Sequence, residues 1–194
     1  MSLKEKIIHE SLKLFSLKGF SSTSLNDILD AAQTSKGGFY NHFKSKEDLF
    51  YAVLEEARKI WRARNLVDLD PNTAPVERVI RLLDNFGSRY LKDSENFPGG
   101  CVFITLSVEL NDQRPKLSEE LHKGFAGLKR MILEMLKAGK ANGELKAEAD
   151  PEGIAEVLFA GMLGASVIYG ADKSSVTVDR TIQALIDYIN QLRI

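Results

Sequence analysis

With a single cysteine, Cys101, the chain has no partner for an internal disulfide. Its three histidines, His9, His42 and His122, do not stand at metal-ligand spacing. No structural metal and no cofactor are expected. An excess of charge of one sign is missing too: 26 Lys and Arg against 27 Asp and Glu leave a net charge of -1. The chain as a whole therefore has no pull toward nucleic acid, and any such surface must come from local patterning. No apolar run is expected to approach the ~18 residues of a membrane span. The N-terminus, MSLKEKIIHE, carries charges where a secretory segment would be apolar. A cytoplasmic chain without a membrane partner is expected.

What is present is an ordinary globular balance, 44% hydrophobic and 27% charged, which predicts a packed core rather than disorder. At 194 residues the chain accommodates one domain, or a small module joined to a larger one.

Local signals divide it into helices. Ser2 followed by Glu5 is a capping pair, and Leu3, Ile7, Ser11, Leu14 and Phe15 follow at helical spacing. Gly19 ends that helix, since glycine takes the left-handed conformation at a helix terminus. Ser24 with Asp27 opens a second, short helix through Ala32, and Ser45 with Asp48 opens a long one carrying Leu49, Phe50, Val53, Leu54, Ala57, Ile60 and Trp61. Breakers at 68–75, 93–100, 111–115, 140–151 and 170–175 separate the remaining stripes. The clearest are Val79, Leu83, Phe86 and Tyr90, and Leu117, Leu121, Phe125, Leu128, Ile132 and Met135. Residues 101–110 are rich in β-branched side chains, but no second strand exists to pair with them, so helix is expected there as well. The reading is all-α, about nine helices: a three-helix helix-turn-helix domain over 1–47 and a helical ligand-binding and dimerisation domain over 48–194.

The stretch FSSTSLNDILDAAQTSKGGFYNHFKSKEDLF, residues 20–50, holds the functional signal. Two short helices and a tight turn, the second helix rich in small and polar residues, suit a helix-turn-helix whose second helix enters the major groove. Phe39 and Phe43 share an inward face and leave Lys36, Gly37, Tyr40 and Asn41 on another arc. Two adjacent glycines cost a helix roughly 1 kcal/mol each, a cost that close backbone approach to DNA would justify. Lys36, Lys44 and Lys46 lie in a segment, 33–46, that contains no acid.

The segment from Lys18 to Phe50, KGFSSTSLNDILDAAQTSKGGFYNHFKSKEDLF, resembles the N-terminal signature of the TetR family of bacterial regulators over roughly residues 5–54. The rest is similar only in helical layout and length. The resemblance implies base and nearby backbone contacts from Gln33, Thr34, Ser35, Gly37, Tyr40 and Asn41, and phosphate contacts from Thr23, Lys36, His42 and Lys46. For His42, packing against the neighbouring phenylalanines is an equal alternative. The resemblance further implies a homodimer bound to palindromic operator DNA and released by a small-molecule inducer. Most members repress; some activate.

Trp61, Phe86, Tyr90, Phe103, Phe125 and Met162 are candidates for an apolar ligand pocket, although a plain core uses the same residues. Arg58, Arg62, Arg64 and Arg89 are either solvated or available to an anion. Cys101, also a pocket candidate, follows Pro98-Gly99-Gly100 near a helix start, where the dipole lowers a thiol pKa. A Gly-Cys-apolar sequence here is similar to a TetR subgroup with electrophile-sensing repressors; an inert buried thiol is the other reading. Ala160, Gly161, Gly164 and Ala165 permit close helix packing, either internally or in a dimer through 152–193. An enzyme is disfavoured because no catalytic constellation or phosphate loop is present. A helical adaptor that has lost DNA binding stays open.

Overall fold

The computed structural model describes residues 1–194. Nine α-helices follow in order: α1 (Leu3–Lys18), α2 (Leu25–Ala32), α3 (Lys36–Tyr40), α4 (Lys46–Asn65), α5 (Pro75–Asn85), α6 (Val102–Leu110), α7 (Pro115–Ala141), α8 (Pro151–Asp172) and α9 (Ser175–Gln191). There is no β-strand, only an isolated bridge between Leu145 and Arg193. The all-α expectation holds, and the β-branched segment after Cys101 is helix α6.

The helix starts follow from local chemistry. Ser2 and Glu5 form a reciprocal capping box, with the Ser2 amide donating to Glu5 Oε2 at 2.7 Å and the Glu5 amide to Ser2 Oγ at 3.3 Å. Ser24 and Asp27 repeat the device at α2, and Ser45 accepts from the Asp48 amide at α4. Each side chain satisfies amides that the first turn leaves without partners. Pro75, Pro115 and Pro151 open α5, α7 and α8 at the one helical position where a missing N–H costs nothing. One feature has no local sequence signature: between α5 and the following loop the chain widens into a π-helical turn over Phe86–Tyr90, with the Leu91 amide donating to the Phe86 carbonyl.

Helices α1 to α3 pack around Phe15, Phe20, Phe39 and Phe43, with Leu49 and Phe50 of α4 closing the cluster. Phe20 meets Phe15 and Phe50 edge-on at 5.5 and 5.4 Å, the geometry aromatic quadrupoles favour. The same core continues into the larger helical half, because α4 lies against α1 on one side and the π-helical turn on the other. Helices α5 to α9 form the remainder, α7 and α8 packed together and α8 against α9.

One expectation is corrected here. Helix α8 is long and apolar enough, by length and composition, to cross a membrane, with a mean hydropathy of 1.7 over its best window, and a third of that window is buried. Glu156 interrupts the run, and Ile154, Leu158, Met162 and Ala165 face the core. Val157, Val167 and Ile168 remain exposed on the other faces.

The two halves are also joined by polar bonds through α6. Glu109 accepts from the Phe20 amide at 2.6 Å and the Ser21 amide at 2.7 Å, gripping the turn between α1 and α2. Gly19 sits at φ +81, and a side chain there would run into this same carboxylate. From the other side, the Lys46 ammonium donates to the Phe20 and Thr23 carbonyls at 2.9 and 2.8 Å and lies over the Phe20 ring. Hydrogen bonds to a charged group contribute about 1.5–3 kcal/mol each. Glu109→Ala should therefore lower stability by about 2 kcal/mol, a fall in Tm of about 4–8 °C for a chain of this size. Thermal unfolding followed by circular dichroism measures it; an unchanged Tm would show that the grip contributes nothing.

Candidate functional site

Helix α3 is short and its exposed face is free. Ser35 caps it, its Oγ accepting from the Gly38 amide at 3.1 Å. Phe39 is fully buried and Phe43, just beyond the helix, nearly so, which turns the opposite face outward. Lys36, Gly37, Tyr40, Asn41 and His42 are exposed, and none of the side chains of Lys36, Tyr40 and Asn41 has a hydrogen-bond partner within the protein. Tyr40 is 56% exposed and rests edge-on against Phe39 at 5.3 Å, which fixes the ring while its hydroxyl points to solvent. Gln33 ends α2 in the left-handed conformation (φ 53), and its side-chain carbonyl accepts from Lys6. Thr34 is half-buried. The His42 ring is solvent-exposed, with an edge contact to Phe43 at 6.5 Å.

The two glycines have different reasons. A side chain at Gly38 would collide with Thr34 Oγ1 unless the Thr34 side chain turned away, so local packing already favours glycine there. A side chain at Gly37 would meet nothing closer than Ser35 Oγ at 3.7 Å, so nothing inside the protein requires its absence. Close approach from outside is thus the remaining physical reason at Gly37.

Thr23 and Lys46 need revision. Thr23 is fully buried, with its hydroxyl donating to the Gly19 carbonyl at 2.6 Å. The Lys46 ammonium is committed to two carbonyls, and burial lowers its pKa. Both side chains hold the α1–α2 turn in shape and are not free for a phosphate oxygen. Nearby, Lys18 and Ser24 hold the Asp27 carboxyl down to about 2, and this keeps the α2 cap ionised.

The larger half encloses a cavity of about 340 Å³ between α4, the π-helical turn, α6, α7 and α8, within the size range of small-molecule sites. Trp61, Phe86, Tyr90, Cys101, Phe103, Phe125 and Met162 all line it. The π-helical turn contributes both Phe86 and Tyr90. Ser166, Leu128, Met131 and Leu163 complete the wall together with Gly124 and Gly127 of α7. A side chain at either glycine would meet no atom within 4 Å, so both leave open space where alanine would otherwise be the better helix former. That pair was the readable signal for this wall.

Arg58 and Arg62 stand at the cavity mouth with Lys123 and Glu120. Arg58 bonds the Glu120 carbonyl at 2.8 Å and its carboxylate at 3.2 Å, and Arg62 pairs with Glu55 at 3.1 Å. Arg64 lies elsewhere, bonded to the buried Asp93 at 2.9 Å, where it pins the loop before α6. Arg89 is exposed and outside the cavity.

Cys101 caps α6, as its position before a helix implied, but the lowered thiol pKa expected there is not found. The residue is 8% exposed, and burial pushes its thiol up, against smaller opposing effects of the Tyr90 hydroxyl and the α6 amides. The helix dipole acts on a thiolate only if the thiolate can form, and desolvation in an apolar wall works against it. Its sulfur lies 3.2 Å from the Tyr90 hydroxyl, which burial also holds in its neutral form. Folded protein at neutral pH should therefore react with iodoacetamide more slowly than the same chain unfolded in urea, with a pH–rate inflection above that of free cysteine. Faster labelling of the folded chain, followed by mass spectrometry, would restore Cys101 to the reactive class.

Comparison with known proteins places both halves. Residues 7–53 match the family model described as bacterial regulatory proteins, tetR family, and residues 75–185 match that of the tetracyclin repressor-like C-terminal domain. The transcriptional regulator AcuR of Cereibacter sphaeroides is 30% identical over 167 residues, covering 83% of this chain and 73% of that protein. The transcriptional repressor NemR of Escherichia coli K12 is 26% identical over 165 residues, 84% of this chain and 82% of that one. A TetR transcriptional regulator from Chloroflexus aurantiacus, solved as a crystal structure, superimposes with a TM-score of 0.89 at 29% identity, covering 99% of this chain and 96% of its own. With both family models matched in order along one all-helical chain, the protein belongs to the TetR family of bacterial transcriptional regulators.

Proposed function

We propose that the chain is a homodimeric repressor that binds a palindromic operator through Gln33–Asn41 and leaves it when a small-molecule inducer occupies the cavity. The carrying observation is the exposed α3 face: Lys36, Tyr40 and Asn41 extend unpartnered from a rigid aromatic base, in a segment without a single acid. In this reading 1–47 reads DNA and 48–194 senses and dimerises. Lys36, with His42 beside it, supplies phosphate contacts that set register, while Tyr40, Asn41, Gln33, Thr34 and the Ser35 hydroxyl address base edges and nearby backbone. A regulator of this kind works on DNA in the cytoplasm.

Dimerisation is assigned to 152–193. Val157, Val167, Ile168 and Val176 are exposed on α8 and α9, an apolar surface that a second copy would cover. Of the small residues, Ala165 is buried inside the protomer and Gly161 accommodates Leu185, whereas Gly164 leaves open space and Ala160 faces outward. Two α3 helices would then meet successive major grooves about 34–36 Å apart.

Release needs a ligand that favours the non-binding state, because only differential affinity shifts a population. The bonded path is short. Cys101 lines the cavity, the preceding Gly100 carbonyl accepts from Ser16 of α1 at 3.0 Å, and the Gly99 amide donates to the same hydroxyl at 2.9 Å. At the far end of α6, Glu109 holds the α1–α2 turn. A displaced α6 would carry α1 with it. Among structural neighbours, AibR has been solved in complex with isovaleryl coenzyme A and operator DNA; at 17% identity and a TM-score of 0.76 it shares the fold.

A gel shift with promoter DNA from beside the gene tests the reading, and absence of any preferred fragment in a genomic selection would overturn it. Affinity should fall with salt, and Lys36→Ala should reduce the log–log slope by about 1 per subunit. Tyr40→Ala should weaken the preferred site more than random DNA; equal loss on both would remove Tyr40 from sequence reading. Ile168→Glu should yield a folded monomer with operator affinity reduced at least tenfold, read by light scattering and gel shift. A dimeric mass at micromolar concentration would remove this face from the interface.

A further inference from the structure

The cavity is graded from one end to the other. Its mouth is charged and its closed end is not. Tyr90, Cys101, Met162 and Ser166 at the closed end are all buried, and the polar atoms among them are a phenol, a thiol and a hydroxyl. The Ser166 hydroxyl is already donated to the Met162 carbonyl at 2.9 Å. The Tyr90 hydroxyl has the Cys101 sulfur as its one partner at 3.2 Å; either atom can donate in this contact, and sulfur is weak in both roles. The phenol is thus the strong donor of this end that still lacks a strong acceptor.

Neither charge sign is invited. An anion at the closed end would meet no cation, and burial holds both the phenol and the thiol neutral. At the mouth every charge is already matched: Arg58 with Glu120 at 3.2 Å, Arg62 with Glu55 at 3.1 Å, and Lys123 with Glu119 and Glu120 at 3.0 and 2.9 Å. A ligand carboxylate there would meet cations whose charge a protein carboxylate already offsets, and a ligand ammonium would meet carboxylates already offset by arginine or lysine, so the mouth offers neither sign a free counter-charge. Between the two ends the wall is aromatic, with Trp61, Phe86, Phe103 and Phe125 around the space left by Gly124 and Gly127. Flat rings fill such a space with large contact area and little loss of rotational freedom.

We propose that the cavity takes a neutral, largely aromatic molecule carrying one acceptor oxygen, of the aryl ketone class, seated with its carbonyl oxygen on the Tyr90 hydroxyl. The proposal rests on the reading of the cavity as the inducer site. On binding, the Tyr90 O–H donates to the ligand oxygen, exchanging the weak sulfur contact for a strong acceptor. Binding is reversible and leaves the thiol unmodified.

Three probes on one ring system separate the possibilities: 2-acetylnaphthalene, its hydrocarbon counterpart 2-isopropylnaphthalene, and 2-naphthoate. Calorimetric titration of the full-length protein should give a Kd for the ketone at least tenfold below that for the carboxylate. Tyr90→Phe should weaken the ketone about tenfold, the worth of one hydrogen bond, and leave the hydrocarbon unchanged. The wild-type comparison stands even if the variant folds poorly, which its circular dichroism melt will show. Tighter or equal binding of 2-naphthoate, no binding of the ketone up to its solubility limit, or an equal effect of a folded Tyr90→Phe on ketone and hydrocarbon overturns the proposal. A parallel gel shift keeps the two readings apart. Ketone binding that leaves operator affinity intact would sink the inducer-site reading while the ligand class stands, and operator release by the carboxylate would do the reverse.

Discussion

Everything in the molecule turns on the short connection between α1 and α2, because this is where α1, α4 and α6 must agree. Phe20 and Ser21 give their amides to Glu109 of α6, Phe20 and Thr23 offer their carbonyls to Lys46 of α4, and the Thr23 hydroxyl closes the turn on the Gly19 carbonyl. The turn is held from both sides by full charges of opposite sign. A backbone bonded in this way has little freedom to deform independently of α6 and α4. Helix α6 thus borders the cavity near its start, through Phe103, and bonds the α1–α2 turn near its end, through Glu109.

The cavity obeys a related economy. A helical bundle packs tightly by default, and a void of this size must be built against that tendency. Here it is built by a π-helical turn that brings Phe86 and Tyr90 to one wall, and by glycines at 124 and 127 that withhold side chains from another. Both features cost helix stability; the glycines add no side chain to the core, and the π-helical turn buries Phe86 and Tyr90 only by departing from regular helix geometry. Departures of this kind from regular packing mark places where sequence has been shaped by something other than folding.

Much of this was legible in the sequence. Helix starts could be read because capping is local: Ser2 with Glu5, Ser24 with Asp27 and Ser45 with Asp48 each lie three residues apart. The seven pocket candidates fall on one cavity because large adaptable side chains on helical stripes converge wherever stripes face each other. What stayed hidden is long-range. Glu109 and Phe20 are 89 residues apart, and nothing near either residue announces the other. For the same reason Lys46 and Thr23 read as surface donors when their partners are backbone carbonyls inside the fold. Cys101 shows the limit of a local argument most plainly: its helix-start position was correct, and burial, which only the tertiary structure reveals, reverses the sign of the effect. The apolar reach of α8 is hidden in the sequence because Glu156 and scattered glycines break the run without lowering its average hydropathy below that of a spanning helix.

The chain has one tryptophan, and Trp61 is partly buried in the wall of the cavity, on the helix that also forms the base of the DNA-reading head. The indole therefore samples the cavity's polarity and solvent content, while α3 has no indole of its own. The protein carries a built-in optical reporter: ultraviolet emission from the unlabelled molecule follows filling of the sensor half, and operator engagement registers in that signal only to the extent that the two halves are mechanically coupled.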